Sequence, residues 1–103
     1  MAQNSDVVRR EVGVGNVLGL HLRVAEQFVR LANVFQSDVR IHGKGVMTNG
    51  KSILGLLSLA AECGTMLALE AEGCDAEDAV SALADLISAQ PPEPEDRHMG
   101  TAC

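Results

Sequence analysis

Apolar and polar positions run along this chain with two different periods. Residues 7–14, VVRREVGV, open on β-branched residues and alternate loosely, which predicts a strand. Residues 15–21, GNVLGLH, carry two glycines and no period, so they read as a loop. From 22 to 35 the spacing becomes helical. Ala25, Phe28, Val29, Ala32 and Phe35 share one face, widened by Val24 and Leu31, and Arg23, Glu26, Gln27, Arg30 and Asn33 share the other. This pattern predicts a half-buried surface helix with Arg23 on its wet side.

Residues 37–42, SDVRIH, alternate with Val39 and Ile41 inward; GKG at 43–45 is a turn and VMT at 46–48 a short return strand, together a hairpin. Asn49-Gly50 is a second strong turn signal, but no further hairpin is expected there. The following segment, KSILGLLSLAAECG, has few β-branched residues and begins with Ser52, a good helix cap. It predicts a short helix from about 53 to 60, ended near Cys63-Gly64. Residues 65–73, TMLALEAEG, alternate again, with Leu67 and Leu69 inward. The last segment, CDAEDAVSALADLISAQ, places Asp75 as a cap, Glu77 and Asp78 in a first turn, and Ala79, Val80, Leu83, Leu86 and Ile87 on a buried stripe, with Pro91-Pro92 as the stop.

The element order is therefore β-α-β-β-α-β-α. A four-stranded sheet with its helices on one face is a two-layer α+β domain, an open-faced sandwich, over residues 1–90. Residues 91–103 lack any apolar period and are expected to form a disordered acidic tail. The periodicity leaves the strand order open.

Composition narrows the class. An apolar fraction of 47% belongs to a globular protein, and with two Phe and no Trp or Tyr the core must be aliphatic. No apolar run reaches the length of about 18 residues needed to span a bilayer, and MAQNSDVVRREV does not resemble a secretory signal. Cys63, Cys74 and Cys103 are odd in number and lack metal spacing, so they are read as inert, reduced thiols of a cytoplasmic protein. A net charge of −6 argues against nucleic acid as a partner. The charge is uneven: residues 1–52 hold seven Lys/Arg against four Asp/Glu, and residues 53–103 hold one against ten. A basic face on an acidic molecule follows.

Three features carry candidate chemistry. His21 stands where a helix begins, with Arg23 two residues on. Free amides at a helix start attract anions, a guanidinium matches a phosphate, and a neutral imidazole is a nucleophile. Each has an ordinary reading too, a loop histidine and a solvated arginine; it is the pair that points to phosphate. Ser52 is a cap, and a phosphate added there would gain from the helix dipole. The run Ile53, Leu54, Leu56, Leu57 and Leu59 is apolar nearly all round, so one side should stay exposed as a docking patch. His42 and His98 have no supporting context and read as surface residues. No NTPase-type loop, metal cluster or nucleophile elbow is present.

Taken together, these segments resemble the HPr family, the histidine-containing phosphocarriers of the bacterial phosphoenolpyruvate-dependent sugar phosphotransferase system. The likeness covers residues 8–89 without a gap. GLHLRVA at 19–25 is similar to the family's motif Gly-aliphatic-His-small-Arg-Pro-small, and NGKSILGLLSL at 49–59 to its regulatory serine segment. FQSDVRI and LEAEGCDAEDAVSALADLI resemble its second strand and its last strand and helix.

The resemblance implies a sheet in the order 1-4-2-3 and a phosphoryl-transfer intermediate rather than a stand-alone enzyme. His21 would accept the group on Nδ1 from phospho-enzyme I and pass it to enzyme IIA domains, with Arg23 holding the phosphate. Ser52 would be the target of an HPr kinase/phosphorylase. Ile53, Leu54 and Leu57 would dock partners, with Arg23, Arg30 and Lys51 around them. No metal or cofactor, no membrane insertion and a monomeric state are implied. The alternative is an HPr-like regulator acting through phosphorylated Ser52. Two positions depart from the motif: Leu22 replaces a small residue, and Val24 replaces the proline that pre-sets a first helical turn.

Overall fold

The computed structural model describes residues 7–89. The elements follow the expected order: β1 Val7–Gly13, α1 Leu22–Ala32, β2 Asp38–Gly43, β3 Val46–Asn49, α2 Ile53–Ser58, β4 Met66–Glu72 and α3 Ala76–Ser88. The four strands form one antiparallel sheet in the order β1-β4-β2-β3. β4 sits between β1 and β2, so the last strand closes a sheet whose other members come earlier in the chain. The expectations for the tail at 91–103, for the Pro91-Pro92 stop, for His98 and for Cys103 lie outside the described residues.

Strand alternation sorts the two faces. Val12 of β1, Val39 and Ile41 of β2, and Leu67, Leu69 and Ala71 of β4 are buried, and they join Phe28 of α1, Leu56 of α2 and Leu83 and Ile87 of α3 in one aliphatic core. The opposite face is polar. There Arg40 Nε donates to Glu70 Oε1 at 3.0 Å and its second guanidinium nitrogen to Glu72 at 3.3 Å. His42 Nε2 meets the same Glu70 oxygen at 3.0 Å. The hydrogen bond from His42, and then that from Arg40, holds the Glu70 carboxyl below the usual range. The histidine that the sequence leaves without context thus belongs to a cross-strand charge cluster, because β2 and β4 pair in register with His42 opposite Ala68.

The β2–β3 hairpin turns on Lys44 and Gly45, both with positive φ, 54° and 78°. Two consecutive left-handed residues match the twist of the flanking strands. Asn49-Gly50 makes no second hairpin, since the Gly50 N–H extends the pairing to the Val39 carbonyl at 2.7 Å.

Four local readings need correction. First, α1 ends at Ala32 rather than 35: Asn33 folds its side-chain amide back onto the Val29 carbonyl at 3.0 Å, and tighter turns carry the chain through Val34 and Phe35. Second, Asp75 occupies the cap position of α3 but makes no side-chain cap bond. Its carboxylate accepts instead from the backbone N–H groups of Gln36 and Ser37, each at 2.9 Å, and from the Ser37 hydroxyl. The Ser37 hydroxyl bond, then the Gln36 amide, lowers its pKa. Ser37 is buried, and its donors outcompete those of the helix start. Third, Cys63 is disulfide-bonded rather than a reduced thiol, while Cys74 is free and exposed. The second helix also stops earlier than 60, at Ser58, and Ala60 takes φ 49°, which breaks the helical run.

Candidate functional site

The loop between β1 and α1 sets the position of His21. Asn16 is buried, and its side-chain oxygen accepts from the Leu18 N–H at 2.8 Å while its carbonyl accepts from Gly19 at 2.8 Å. Gly19 has φ +77°, and a Cβ there would lie 2.6 Å from the Ala61 carbonyl oxygen, so only glycine allows the close approach. The next N–H, of Leu20, donates to that same carbonyl at 2.8 Å. The buried Leu20 then anchors the chain just before the histidine.

His21 is the N-cap of α1, with φ −91° and ψ −179°. Its carbonyl accepts from Ala25 at 2.9 Å. Its Nδ1 accepts from the backbone N–H of Arg23 at 3.3 Å. An accepting Nδ1 carries its lone pair toward the helix start, and in the neutral ring the proton then sits on Nε2. The first turn of α1 holds no acidic side chain, so the positive end of the helix is uncompensated. Arg23 is exposed, and among the described residues neither Arg23 nor Arg30 enters an ion pair. Seven residues apart, the two arginines lie two turns along one helix face.

Ser52 caps α2 as expected: its hydroxyl accepts from Gly55 N–H at 3.0 Å, and it is half-buried. Leu56 and Leu59 enter the core, Ile53 and Leu57 pack on its margin, and Leu54 stands out in solvent. The helix that is apolar all round is thereby divided, with one leucine left over. Helices α1 and α2 pack against each other, which places the histidine helix and the serine helix side by side. Lys51 is more engaged than a rim cation, since its ammonium donates to the Phe35 carbonyl at 3.0 Å. Pattern reasoning missed Val17 and Leu18, two exposed apolar residues in the loop before His21, because a loop offers no period to read. Among the described residues no group of three or more His, Cys, Asp or Glu is placed to hold a metal, and no helix is long and apolar enough to cross a membrane.

Comparison with known proteins agrees with this geometry. Residues 8–89 match the family described as PTS HPr component phosphorylation site. The chain is 40% identical over 82 residues to the phosphocarrier protein HPr of Neisseria meningitidis serogroup A, covering 80% of this chain and 92% of that protein. It is 42% identical over 81 residues to the HPr-like protein Crh of Bacillus subtilis, covering 79% and 95%. The crystal structure of a phosphocarrier protein HPr from Bacillus anthracis superimposes with a TM-score of 0.76 at 42% identity, over 79% of this chain and 96% of that one. With the sheet order and the three helices in agreement, this chain belongs to the HPr family of phosphocarriers of the phosphotransferase system.

Proposed function

We propose that this protein carries a phosphoryl group on Nδ1 of His21, taking it from phospho-enzyme I and giving it to enzyme IIA domains. The observation that carries the reading is the orientation of His21: Nδ1 accepts from the Arg23 N–H at the start of a helix that lacks acidic residues in its first turn. The Nδ1 lone pair attacks the phosphorus, the donor's bond to phosphorus breaks, and its electron pair returns to the donor. The Nε2 proton stays in place until the new ring charge is relieved. The Arg23 guanidinium and the amides of the first turn offset the charge of the bound group. Ser52 is the regulatory position, where a kinase-added phosphate would face partners docking at Leu54. The protein acts as a cytoplasmic monomer on this reading.

A regulatory role through phosphorylated Ser52 is the second reading. It is favoured by the similarity to Crh and by the departures at Leu22 and Val24. Retention of His21 and Arg23 favours the carrier. The test is incubation with phosphoenolpyruvate and the enzyme I of the same source, with His21→Ala as control. One acid-labile phosphoryl group on the wild type and none on the variant is the expected result. Absence of the adduct from the wild type would overturn the carrier and favour the regulator.

A further inference from the structure

Four of the exposed aliphatic residues lie in the segments that carry or adjoin the histidine, while Val7, Val34 and Val46 lie elsewhere. Leu22, the first residue of α1 and the immediate neighbour of His21, is 54% exposed. Val17 and Leu18, in the loop that leads to His21, are 60% and 75% exposed, and Leu54 on the adjoining helix is 79% exposed. Large aliphatic side chains left in water beside a candidate reactive group mark a surface for another molecule to cover. Arg23 at the start of α1 and Arg30 in its last turn, without ion partners among the described residues, add unmatched positive charge along the same helix.

We propose that Leu22 is a specificity-determining residue for the phosphoryl-donor protein. The donor that serves this chain presents an apolar hollow opposite Leu22, rimmed by carboxylates that meet Arg23 and Arg30. The inference rests on the carrier reading above and deepens it. Leu22 is suited to the part by position. Its backbone helps begin the helix, so its Cβ is fixed relative to the His21 ring, and its side chain contributes nothing to the core. A donor built for a small residue at this point meets four carbons it has no room for. A donor with a matching hollow buries them and gains affinity. The charged rim speeds encounter without distinguishing the two donors, because opposite charge acts at long range.

The test is the dissociation constant of the full chain for two enzyme I proteins: the one from its own source, and one from a bacterium whose carrier has a small residue after the histidine. Calorimetry without phosphoenolpyruvate keeps binding separate from transfer. Leu22→Ala weakens binding to the first by about tenfold, the scale of burying a half-exposed leucine. The same change leaves binding to the second unchanged or tighter. Leu22→Met, which keeps the apolar bulk, restores most of the affinity for the first, and this rescue excludes a simple loss of structure. Equal effects on both enzymes, or no effect on either, overturn the inference while leaving the carrier reading intact. No binding of the wild type to its own enzyme I overturns both.

Discussion

The backbone N–H of Arg23 donates to Nδ1 of His21 at 3.3 Å, so one residue holds the imidazole from its main chain while its side chain makes no ion pair among the described residues. A contact of that length is a weak hydrogen bond. It orients the ring at low cost, and on the carrier reading a phosphoryl group arriving on Nδ1 would displace it and take over the same donor. The guanidinium and the amide of Arg23 therefore have separable parts.

Arg23→Ala is expected to keep the amide and lose the guanidinium. Phosphoryl transfer to His21 should slow by roughly ten- to a hundredfold, the scale of one or two charge-assisted hydrogen bonds. Arg23→Lys should recover only part, because a lysine cannot make the forked contact. Rapid-quench kinetics with phospho-enzyme I check both. Full rates in the alanine variant would remove Arg23 from the site.

Ser52 tests cap against charge. Ser52→Ala removes the acceptor for Gly55 N–H and should cost about 1 kcal/mol in thermal or urea unfolding. Ser52→Asp keeps a cap acceptor and places negative charge at a helix start, so the fold should be as stable as the wild type. The same variant should accept phosphoryl groups at His21 more slowly, because on the proposed reading the new charge would sit near the docking face. Unchanged transfer kinetics would separate Ser52 from the docking face.

Lys51 ties the segment before α2 to the end of the turn after α1, through the Phe35 carbonyl. Lys51→Met keeps much of the aliphatic stem and loses the donor. A stability loss of about 1 kcal/mol is expected from one part-buried hydrogen bond to a charged group, read as a fall of a few degrees in Tm. An unchanged Tm would show the ammonium to be free in solution.

Asp75 sets a pH dependence. Its carboxyl is held below the ordinary value of 3.8, first by the Ser37 hydroxyl and then by the Gln36 amide. A depressed carboxyl pKa in the folded state adds stability that is present above the unfolded value and is lost as the pH falls through the folded one. Wild-type unfolding should therefore become easier below about pH 4, and Asp75→Asn should flatten that part of the profile. Urea titrations from neutral pH down into this range compare the two. Parallel profiles would show that other carboxyls account for acid sensitivity.

The element order, the faces of the strands, the helix start at His21 and the cap at Ser52 were legible in the sequence. Each depends on neighbours a few residues apart: alternation exposes one face of a strand, and a cap acts on the next turn of its own helix. Residue motifs also pointed to the pairing of His21 with Arg23, two positions apart on one helix start. Tertiary structure alone decided the rest. Asp75 abandons its own helix for Ser37, 38 residues away, because a buried hydroxyl and two amides needed an acceptor. His42 acquires Glu70 across 28 residues, and Lys51 acquires Phe35 across 16. Leu54 is exposed while Leu56 is buried only because of where α2 lies against the sheet and α1. Local spacing determines which way a side chain leaves its own element; only the packing of elements decides what it meets there.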